Sequence, residues 1–515
     1  MFWLLVGVIL VIWTALYRWK NRKLIALGKT LGQKSICLPI VGHAYKFLGS
    51  DEDRMNAMAK IGREAYETGG IIGQWQGNEL WLFVSDAVLA DVLLKTCLQK
   101  ADVMNFLRVM MGNGSVFAPV HIWRPRRKIL APTFSQKNLN SFVEVFSRQS
   151  RVMVEQLGKV AGKGAFSVWR KITTYNMDSV CETTLGIQLN TQLKPELPFL
   201  QNFENCCRID AKRICQPWFH NDTVNKIFNK KIVESHTRSI DYIWDFMNKI
   251  IQSKWDGLKK EKQVSQESNQ KIEKNFKTFL ELLIESPADY GSVELREETL
   301  VLVIGGTDTS AVGTAFTTIM LAMYPDVQEK VYDEIYEIFG DSDRPVTPED
   351  LPKLKYLEAV IKESLRLYPP APFIARKVEK DVELPTGITL TKGCNILICI
   401  WSIHRNPKYW GDDAELFRPE RFIDTQLTHP AAYLPFSYGP RGCIGYRYAL
   451  MSMKTLLSTL LRRYRVLPTE SMNAAQNDST EADNHPRKPK LRVTFDIMMK
   501  HADNFEIKLE PRTKC

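Results

Sequence analysis

The sequence predicts a mainly α-helical protein with small β-sheets, built as one large catalytic domain behind an N-terminal membrane anchor helix. Helical periodicity covers most of the chain beyond residue 40, strand-like patches are few and short, and no internal repeat divides the body. Of the 515 residues, 44% are hydrophobic and 25% are charged. This composition supports a large core and excludes a disordered or collagen-like polymer.

The first 17 residues carry no charged side chain, and a basic cluster follows over residues 18–23. At 1.5 Å per residue, such a helix spans roughly 25 Å, enough for a thin bilayer such as the endoplasmic reticulum membrane. A cleaved signal peptide would need positive charge before the apolar run and small residues at its cleavage site, and neither is present. We expect an anchor over 1–19, a basic linker and Pro/Gly hinge over 20–42 and a cytoplasmic domain over 43–515.

Several elements of the body follow from local patterns. Helices are predicted over about 295–323, from Pro325 to just before Gly340, and over 356–367, where apolar residues share one face. A cap residue, a proline and early acids at 347–350 predict another helix start. Strands are predicted at 74–84, 388–400 and 491–497, and polar surface insertions at 259–274 and 473–490.

The charge balance and the cysteines restrict the function classes. Lys and Arg number 69 against 58 Asp and Glu, a net charge of +11, which fits nucleic acid, an anionic membrane or an acidic protein partner. No nucleic-acid-binding motif or basic stripe is present, so no nucleic-acid partner is expected. The ten cysteines show no CxxC spacing and are expected to be reduced thiols in a cytosol-like compartment.

One cysteine lies in a ten-residue pattern, F-x-x-G-x-R-x-C-x-G, formed by Phe436, Gly439, Arg441, Cys443 and Gly445. A helix predicted over 446–464 follows directly, and a thiolate beside a helix amino terminus is stabilised by the dipole and by backbone N–H donors. The alternative is an ordinary buried cysteine before a helix. With every defining position filled, the segment resembles the haem-binding loop of the cytochromes P450.

The resemblance implies a haem b (iron protoporphyrin IX) whose axial ligand is the Cys443 thiolate, which favours O–O bond cleavage. Phe436 is then expected to pack against the macrocycle and Arg441 to pair with a propionate. Gly439 and Gly445 are expected to permit tight turns and close backbone approach.

Further haem contacts are expected from three residues outside the loop. Trp123 and Arg127 are spaced i, i+4 and resemble the family's W-x-x-x-R helix, whose residues reach haem propionates. Arg376 resembles a second propionate-binding arginine. The alternative for the segment around Arg127 is a solvated basic face, which is how we interpret Arg124, Arg126 and Lys128.

A structural brace is expected from Glu363, Arg366 and Arg421. Glu363 and Arg366 lie three apart on one helix and resemble the family's E-x-x-R pair, with Arg421 as its third member. Alone, an E-x-x-R pattern usually marks an exposed helical ion pair. His404 is expected to be structural and not an iron ligand.

Oxygen activation is expected midway along the long helix, in Gly305-Gly306-Thr307-Asp308-Thr309-Ser310, which resembles the family's oxygen-binding groove. Thr309 and Asp308 would be the catalytic residues, one bonding to oxygen and the other connecting it to a proton supply. Related isomerases and dehydratases often lack this pair, so its presence indicates a monooxygenase. The alternative is an ordinary helix with a back-bonding threonine.

The wording of residues 355–376 is most similar to the animal branch that contains fatty-acid ω-hydroxylases and many insect enzymes. Several members of that branch bond a glutamate covalently to the haem at the position of Gly305, so no covalent haem ester is expected here. Candidate substrate-pocket residues are Phe117, Val301, Gly305 and Phe373. They indicate a lipophilic substrate such as a fatty acid, a hormone or a xenobiotic.

Electrons must come from outside, because the chain has no flavin or dinucleotide fingerprint. The expected donor is NADPH-cytochrome P450 reductase, with cytochrome b5 as a second candidate partner, docking on a basic surface with candidates Arg124, Arg126, Lys128 and Arg447. The predicted function is an NADPH- and O2-dependent microsomal monooxygenase that hydroxylates or epoxidises a lipophilic substrate. The alternative is a non-catalytic, membrane-tethered haem or lipid-binding protein on the same scaffold.

Overall fold

The computed structural model describes residue 12 and residues 15–31, 35–194, 197–268, 277–285, 290–477 and 491–512. Most of the predicted anchor, residues 1–19, therefore lies outside the described residues. Among the described helices, Ser292–Met323 is long and apolar enough to cross a membrane, but 78% of its most apolar window is buried inside the protein. This helix belongs to the core, and we call it the central helix.

The described part of the chain is mainly helical, as predicted. Its α-helices are Arg22–Thr30, Asp51–Glu67, Ala87–Thr96, Asn105–Met111, Val120–Leu130, Gln136–Ser141, Val143–Gly158, Trp169–Leu185, Pro198–Cys215, Asp222–Phe228, Lys230–Ser268, Phe279–Ile284, Ser292–Met323, Pro325–Phe339, Lys355–Leu367, Ile400–Ile403, Pro407–Trp410, Arg421–Asp424, Tyr446–Leu461 and Glu470–Asn477.

The strands are short and form small sheets. They are β1 Ile71–Gln76, β2 Glu79–Val84, β3 Phe166–Ser167, β4 Phe373–Lys377, β5 Val382–Glu383, β6 Thr389–Leu390, β7 Asn395–Cys399, β8 Tyr464–Leu467, β9 Val493–Asp496, β10 Met498–His501 and β11 Glu506–Pro511. The largest sheet has the order β1-β2-β7-β4, with β2 and β7 parallel and the other pairs antiparallel. The three smaller sheets among the described residues have the strand orders β3-β11-β8, β10-β9 and β5-β6.

The predicted long helices are confirmed, whereas two predicted strands are interrupted. Residues 74–84 form parts of β1 and β2, because Gly77 adopts a φ of 61° and turns the chain between them. Residues 388–400 form β6 and β7 and end in the first residue of a short helix. Strand β9 covers the middle of the third prediction, 491–497.

The helix start predicted at 347–350 is wrong. Asp350 accepts hydrogen bonds from the backbone N–H and the hydroxyl of Thr347, at 2.9 and 3.1 Å, and also pairs with Arg344. These bonds close a turn, only a 3₁₀ turn follows, and the next α-helix begins at Lys355. The Asp350 side chain bonds back to the Thr347 N–H as the third residue of a capping box does, but no α-helical turn follows it.

The two polar insertions are partly helical. Helix Lys230–Ser268 runs through the first part of the segment 259–274, and helix Glu470–Asn477 runs through the first part of 473–490. The remainders, 269–274 and 478–490, lie outside the described residues.

Close helix packing positions the middle of the central helix. A Cβ on Gly306 would lie 2.9 Å from Val180 of helix Trp169–Leu185, and a Cβ on Gly313 would lie 3.0 Å from Leu365. Side chains at these two glycines would push the neighbouring helices away. Close packing therefore fixes the central helix within the segment predicted to activate oxygen, at Gly306, and just after it, at Gly313.

Candidate active site

A cavity of about 350 Å³ lies between the central helix, helix Val120–Leu130 and the cysteine loop, residues 436–445. Most of the predicted site residues line it. They are Phe117, Trp123, Arg127, Val301, Gly305, Asp308, Thr309, Phe436, Arg441, Cys443 and Gly445. The structure therefore brings the catalytic, cofactor-binding and substrate-pocket predictions to one cavity.

Phe373 was predicted to form part of the pocket wall, and this is wrong. Its ring packs against Phe495, with the ring centroids 5.9 Å apart, and the next residue, Ile374, lines the cavity instead. Both residues belong to β4, and successive side chains of a strand point to opposite faces. The prediction placed the right segment at the cavity but chose the wrong face.

The backbone of the cysteine loop is a tight double turn. The Cys443 N–H donates to the Phe436 carbonyl at 2.8 Å, and the Gly442 N–H donates to the Gly439 carbonyl at 2.9 Å. Gly439 has a φ of 71°, and a Cβ there would lie 2.9 Å from the Leu94 carbonyl oxygen. Gly439 is thus required twice, by its left-handed conformation and by this close approach.

Cys443 is an accessible thiol set in a crowded environment. Protein atoms surround most of its side chain densely. The part that remains accessible faces the cavity. Burial raises the pKa of the thiol, while a hydrogen bond from the Gly445 backbone and the charge of Arg127 oppose that rise. Among the described cysteines, only Cys37 and Cys443 are exposed.

Four cations gather beside the cavity, namely Lys100, Arg127, Arg376 and Arg441, which we call the cation cluster. The charges acting on them come from one another and from cysteine thiols, and no carboxylate among the described residues pairs with them. Burial lowers the pKa of Arg376 to about 10 and that of Arg441 to about 9. Burial and the two neighbouring arginines hold the pKa of Lys100 well below its usual value.

Arg376 and Arg441 differ in how their donors are used. Arg376 is 1% exposed, its Nε has no hydrogen-bond partner, and one terminal nitrogen donates to the Ala375 carbonyl. Arg441 donates to the carbonyls of residues 98, 115 and 118 and lies 4.1 Å above the ring of Trp123. Arg441 thus ties the cysteine loop to the chain before helix Val120–Leu130, and Arg376 keeps an unused donor.

Both residues of the predicted catalytic pair, Asp308 and Thr309, already have partners within the protein. The Thr309 hydroxyl donates to the Gly305 carbonyl at 2.6 Å, as in the back-bonding alternative. The Asp308 carboxylate forms an ion pair with Lys500 at 2.5 Å, and the Lys500 ammonium lies 3.8 Å from the centre of the Trp169 ring. The C-terminal hairpin, formed by β9 and β10, therefore supplies the cation that holds Asp308 in place.

The predicted brace of Glu363, Arg366 and Arg421 forms a closed network. Glu363 accepts two bonds from Arg366, at 2.7 and 2.8 Å, and one from Arg421 at 3.2 Å. It also accepts from the Arg418 backbone N–H at 2.9 Å. Both arginines end on backbone carbonyls or on Asp413, so the whole network is buried with its charges partnered.

His404 uses both ring nitrogens within the fold. Its Nε2 accepts from the Leu434 N–H at 2.7 Å, which fixes the tautomer in which Nδ1–H donates to the Arg366 carbonyl at 2.9 Å. Burial lowers the pKa of His404 to about 3. The ring is a neutral structural link between the brace and the residues that precede the cysteine loop.

Arg126 was predicted to be surface charge and a candidate for the docking surface, and this is wrong. It is 9% exposed and pairs with Glu297 at 3.2 Å and Glu298 at 3.1 Å on the central helix. It lies three residues after buried Trp123, on the same helical face. Arg124, Lys128 and Arg447 are exposed, as predicted.

Sequence reasoning missed two functional candidates, Lys100 and Lys500. Neither belongs to a local pattern, and each acquires its position only through tertiary contacts. Lys500 lies on strand β10, far in sequence from Asp308, so no spacing pattern links the two residues. The sequence around Lys100, which follows a helix ending at Thr96, likewise has no pattern that places this lysine beside the cavity.

Comparison with known proteins completes this description. A family model described as Cytochrome P450 matches residues 33–493. The chain is 32% identical over 486 residues to Cytochrome P450 4d2 of Drosophila melanogaster, covering 92% of this chain and 93% of that protein. The chain is a cytochrome P450. It is also 31% identical to Cytochrome P450 4V2 of Mus musculus, covering 92% and 88% of the two chains, and 31% identical to Cytochrome P450 4c21 of Blattella germanica, covering 88% and 90%.

The insect and mammalian relatives all carry family 4 names, which confirms the predicted animal branch. Membership makes this P450 a monooxygenase for lipophilic substrates that uses a haem with thiolate ligation and depends on a redox partner. The residues of the cavity fit such a group. The orphaned Nε of buried Arg376 and the unpaired cation cluster call for anions, which haem propionates supply, and the cavity exposes one thiol at a helix amino terminus.

Proposed function

We propose that this P450 uses NADPH and molecular oxygen to hydroxylate or epoxidise a fatty acid, a hormone or a xenobiotic at a haem ligated by Cys443. The observation that carries the proposal is that one cavity with largely apolar walls is lined by Cys443, by the Asp308–Thr309 pair and by three members of the cation cluster, namely Lys100, Arg127 and Arg441. Apolar walls select a lipophilic substrate and exclude water from the reacting atoms.

In this proposal the Cys443 thiolate would bind the haem iron, and Arg127, Arg376 and Lys100 would hold the propionates. Trp123 and Arg441, stacked 4.1 Å apart, position this side of the pocket. Phe436 packs against the macrocycle, and Gly439 and Gly445 shape the loop around it. When bound, the haem supplies the oxygen-activating chemistry.

Proton delivery in the proposal uses two side chains of the central helix. The Thr309 hydroxyl can exchange its bond to the Gly305 carbonyl for one to a group in the cavity, because a threonine hydroxyl both donates and accepts. The Asp308 carboxylate is held by its ion pair with Lys500 at 2.5 Å, so it can turn to a group in the cavity only when that pair opens. Lys500 thereby positions Asp308 and limits when it can act.

The substrate would enter among Phe117, Val301 and Gly305, and a Cβ on Gly305 would meet no atom within 4 Å. This opening beside the central helix leaves room for a substrate carbon near the catalytic pair. No covalent haem ester forms at Gly305, because glycine has no carboxylate to supply one.

The proposal includes the electron donor and the cellular location. NADPH-cytochrome P450 reductase would dock on the exposed Arg124, Lys128 and Arg447, and cytochrome b5 is a second candidate donor. Residues 1–19 would anchor the protein in the endoplasmic reticulum membrane, residues 20–42 would link the anchor, and the domain 43–515 would face the cytoplasm.

The test starts with the carbon-monoxide difference spectrum of the reduced protein beside its Cys443→Ala variant. We expect a strongly red-shifted Soret band that disappears in Cys443→Ala and persists in Cys207→Ala, a control cysteine that also lines the cavity. Turnover with reductase, NADPH and a lipophilic substrate panel then measures product. Absence of the band in well-folded, haem-supplied protein would contradict Cys443 ligation. A normal band without NADPH-dependent product from any substrate would favour the non-catalytic alternative.

A further inference from the structure

A second cavity, of about 410 Å³, lies between helices Pro198–Cys215, Asp222–Phe228 and Lys230–Ser268. We call it the outer cavity. No residue lines both the outer cavity and the active-site cavity, so the two are separate spaces. Its volume lies within the range of small-molecule sites.

The outer cavity combines apolar walls with basic side chains. Ile209, Phe219, Ile232 and Val233 supply apolar surface, and the cations that line it are Arg208, Lys212, Arg213, Lys226 and Lys231. Among its lining residues the acid is Asp222, which pairs with Arg213 at 2.7 Å. The other four cations are paired with no carboxylate among the described residues, so the cavity carries net positive charge.

Two of these cations are positioned by contacts that leave their charge available. The Lys212 ammonium lies 4.7 Å from the centre of the Phe219 ring, and the Arg208 guanidinium donates to the neutral Asn205 side chain at 3.2 Å. Neither contact neutralises a charge. The cations are therefore available to an anionic head group, while the apolar walls are available to a hydrocarbon chain.

Exposed apolar side chains lie beside the outer cavity. Ile227 and Phe228, at the end of helix Asp222–Phe228, are 68% and 78% exposed, and Trp218 is 39% exposed. Large apolar side chains next to lysines are typical of segments that lie in a membrane interface.

The C-terminal end of the predicted anchor reaches the same region. The Tyr17 hydroxyl donates to the Asn78 carbonyl at 3.0 Å, at the turn between β1 and β2. In that turn, a Cβ on Gly77 would lie 3.6 Å from the Pro217 side chain, which directly precedes Trp218. The basic segment 18–23 and the outer cavity are thus joined through one turn, which places both next to the membrane when residues 1–19 are inserted.

We propose that the outer cavity binds an anionic amphiphile taken from the membrane. Its hydrocarbon chain lies against Ile209, Phe219, Ile232 and Val233, and its carboxylate or phosphate is held by the unpaired lysines and Arg208. The proposal goes beyond the monooxygenase function and does not depend on it, because no residue lines both cavities. Neutral lipids are disfavoured relative to anionic ones because they gain no attraction from these solvent-accessible cations.

The test uses the full-length holoenzyme in phosphatidylcholine nanodiscs. A photoreactive fatty acid and a photoreactive phosphatidic acid are added in separate arms, and cross-linked peptides are mapped by mass spectrometry. We expect labels within residues 205–236, and we expect the double variant Lys226→Gln/Lys231→Gln to reduce them roughly tenfold. The control Lys380→Gln/Lys392→Gln makes the same charge change at exposed lysines elsewhere and should keep the labels.

The arms separate the two sources of the anion. Labelling by the fatty acid alone identifies a free carboxylate ligand, and labelling by phosphatidic acid identifies a phospholipid ligand; both support the proposal. Equal labelling by a photoreactive fatty alcohol would overturn it, as would labels confined to peptides of the active-site cavity such as 297–309. The Soret band and product formation, measured on the same preparation, report separately on the monooxygenase function.

Discussion

Two buried groups of charges in this P450 differ in whether the protein itself supplies their counter-charges. In the brace, Glu363 accepts four hydrogen bonds, and the arginines that surround it end on carbonyls or on Asp413. In the cation cluster, no carboxylate among the described residues pairs with Lys100 or Arg376, and the Arg376 Nε has no hydrogen-bond partner. The difference indicates that the first group stabilises the fold by itself, whereas the second requires a bound anion.

The largest expected effect comes from removing the anion of the brace. Glu363→Gln leaves buried Arg366 without a carboxylate and leaves Arg421 with Asp413 alone, and breaking a buried pair in this way costs about 3–5 kcal/mol. We expect a large loss of folded yield and a lower midpoint of urea unfolding, measured by circular dichroism.

The matched control is Asp245→Asn, which breaks an ion pair of 2.7 Å with Lys249 on an exposed helix surface. No measurable change in unfolding is expected there, because exposed pairs contribute little. Equal losses in the two variants would contradict the view that the brace stabilises the fold.

The second prediction concerns a partnered charge inside the cavity. Lys500→Met leaves the Asp308 carboxylate, 6% exposed, without its cation, so we expect destabilisation of about 2–4 kcal/mol. In the double variant Lys500→Met/Asp308→Asn, most of the loss should be recovered, because no unpaired charge remains. The free energy of unfolding of each variant is measured with urea. If the losses of the two single variants simply add in the double variant, Asp308 and Lys500 do not stabilise each other, which would contradict the prediction.

How far the sequence predicts these groups depends on whether their members share a local pattern. The cysteine loop and the pair Glu363 and Arg366 were predicted because each lies in a short sequence pattern that resembles a motif of the family. Phe373 and Arg126 were placed in the right segments but on the wrong faces, since a strand or helix face is decided by what packs against it. The positions of Lys100 and Lys500 depend entirely on long-range contacts, which no local pattern records.

The third prediction uses the pH dependence of His404, which links the brace to residue 434. Its pKa is lowered from the ordinary 6.5 to about 3, so between these values the unfolded chain binds a proton that the folded chain does not. Its contribution to stability is complete above pH 6.5 and falls by about 1.4 kcal/mol for each pH unit below it. We expect His404→Asn to flatten urea-unfolding stability between pH 7 and 5, and exposed His121→Asn to keep the wild-type slope.

The smallest expected effect has the opposite sign and tests the comparison most directly. Arg376→Met removes a buried charge whose Nε is unsatisfied, so the apoprotein should gain about 1 kcal/mol in urea unfolding. The same variant should release haem faster to an apo-globin acceptor, because a propionate loses its partner. Arg366→Met, the control from the brace, should destabilise the apoprotein. If Arg376→Met also destabilises it, the cation cluster is part of the fold's own support, and the distinction between a closed and an open group of charges fails.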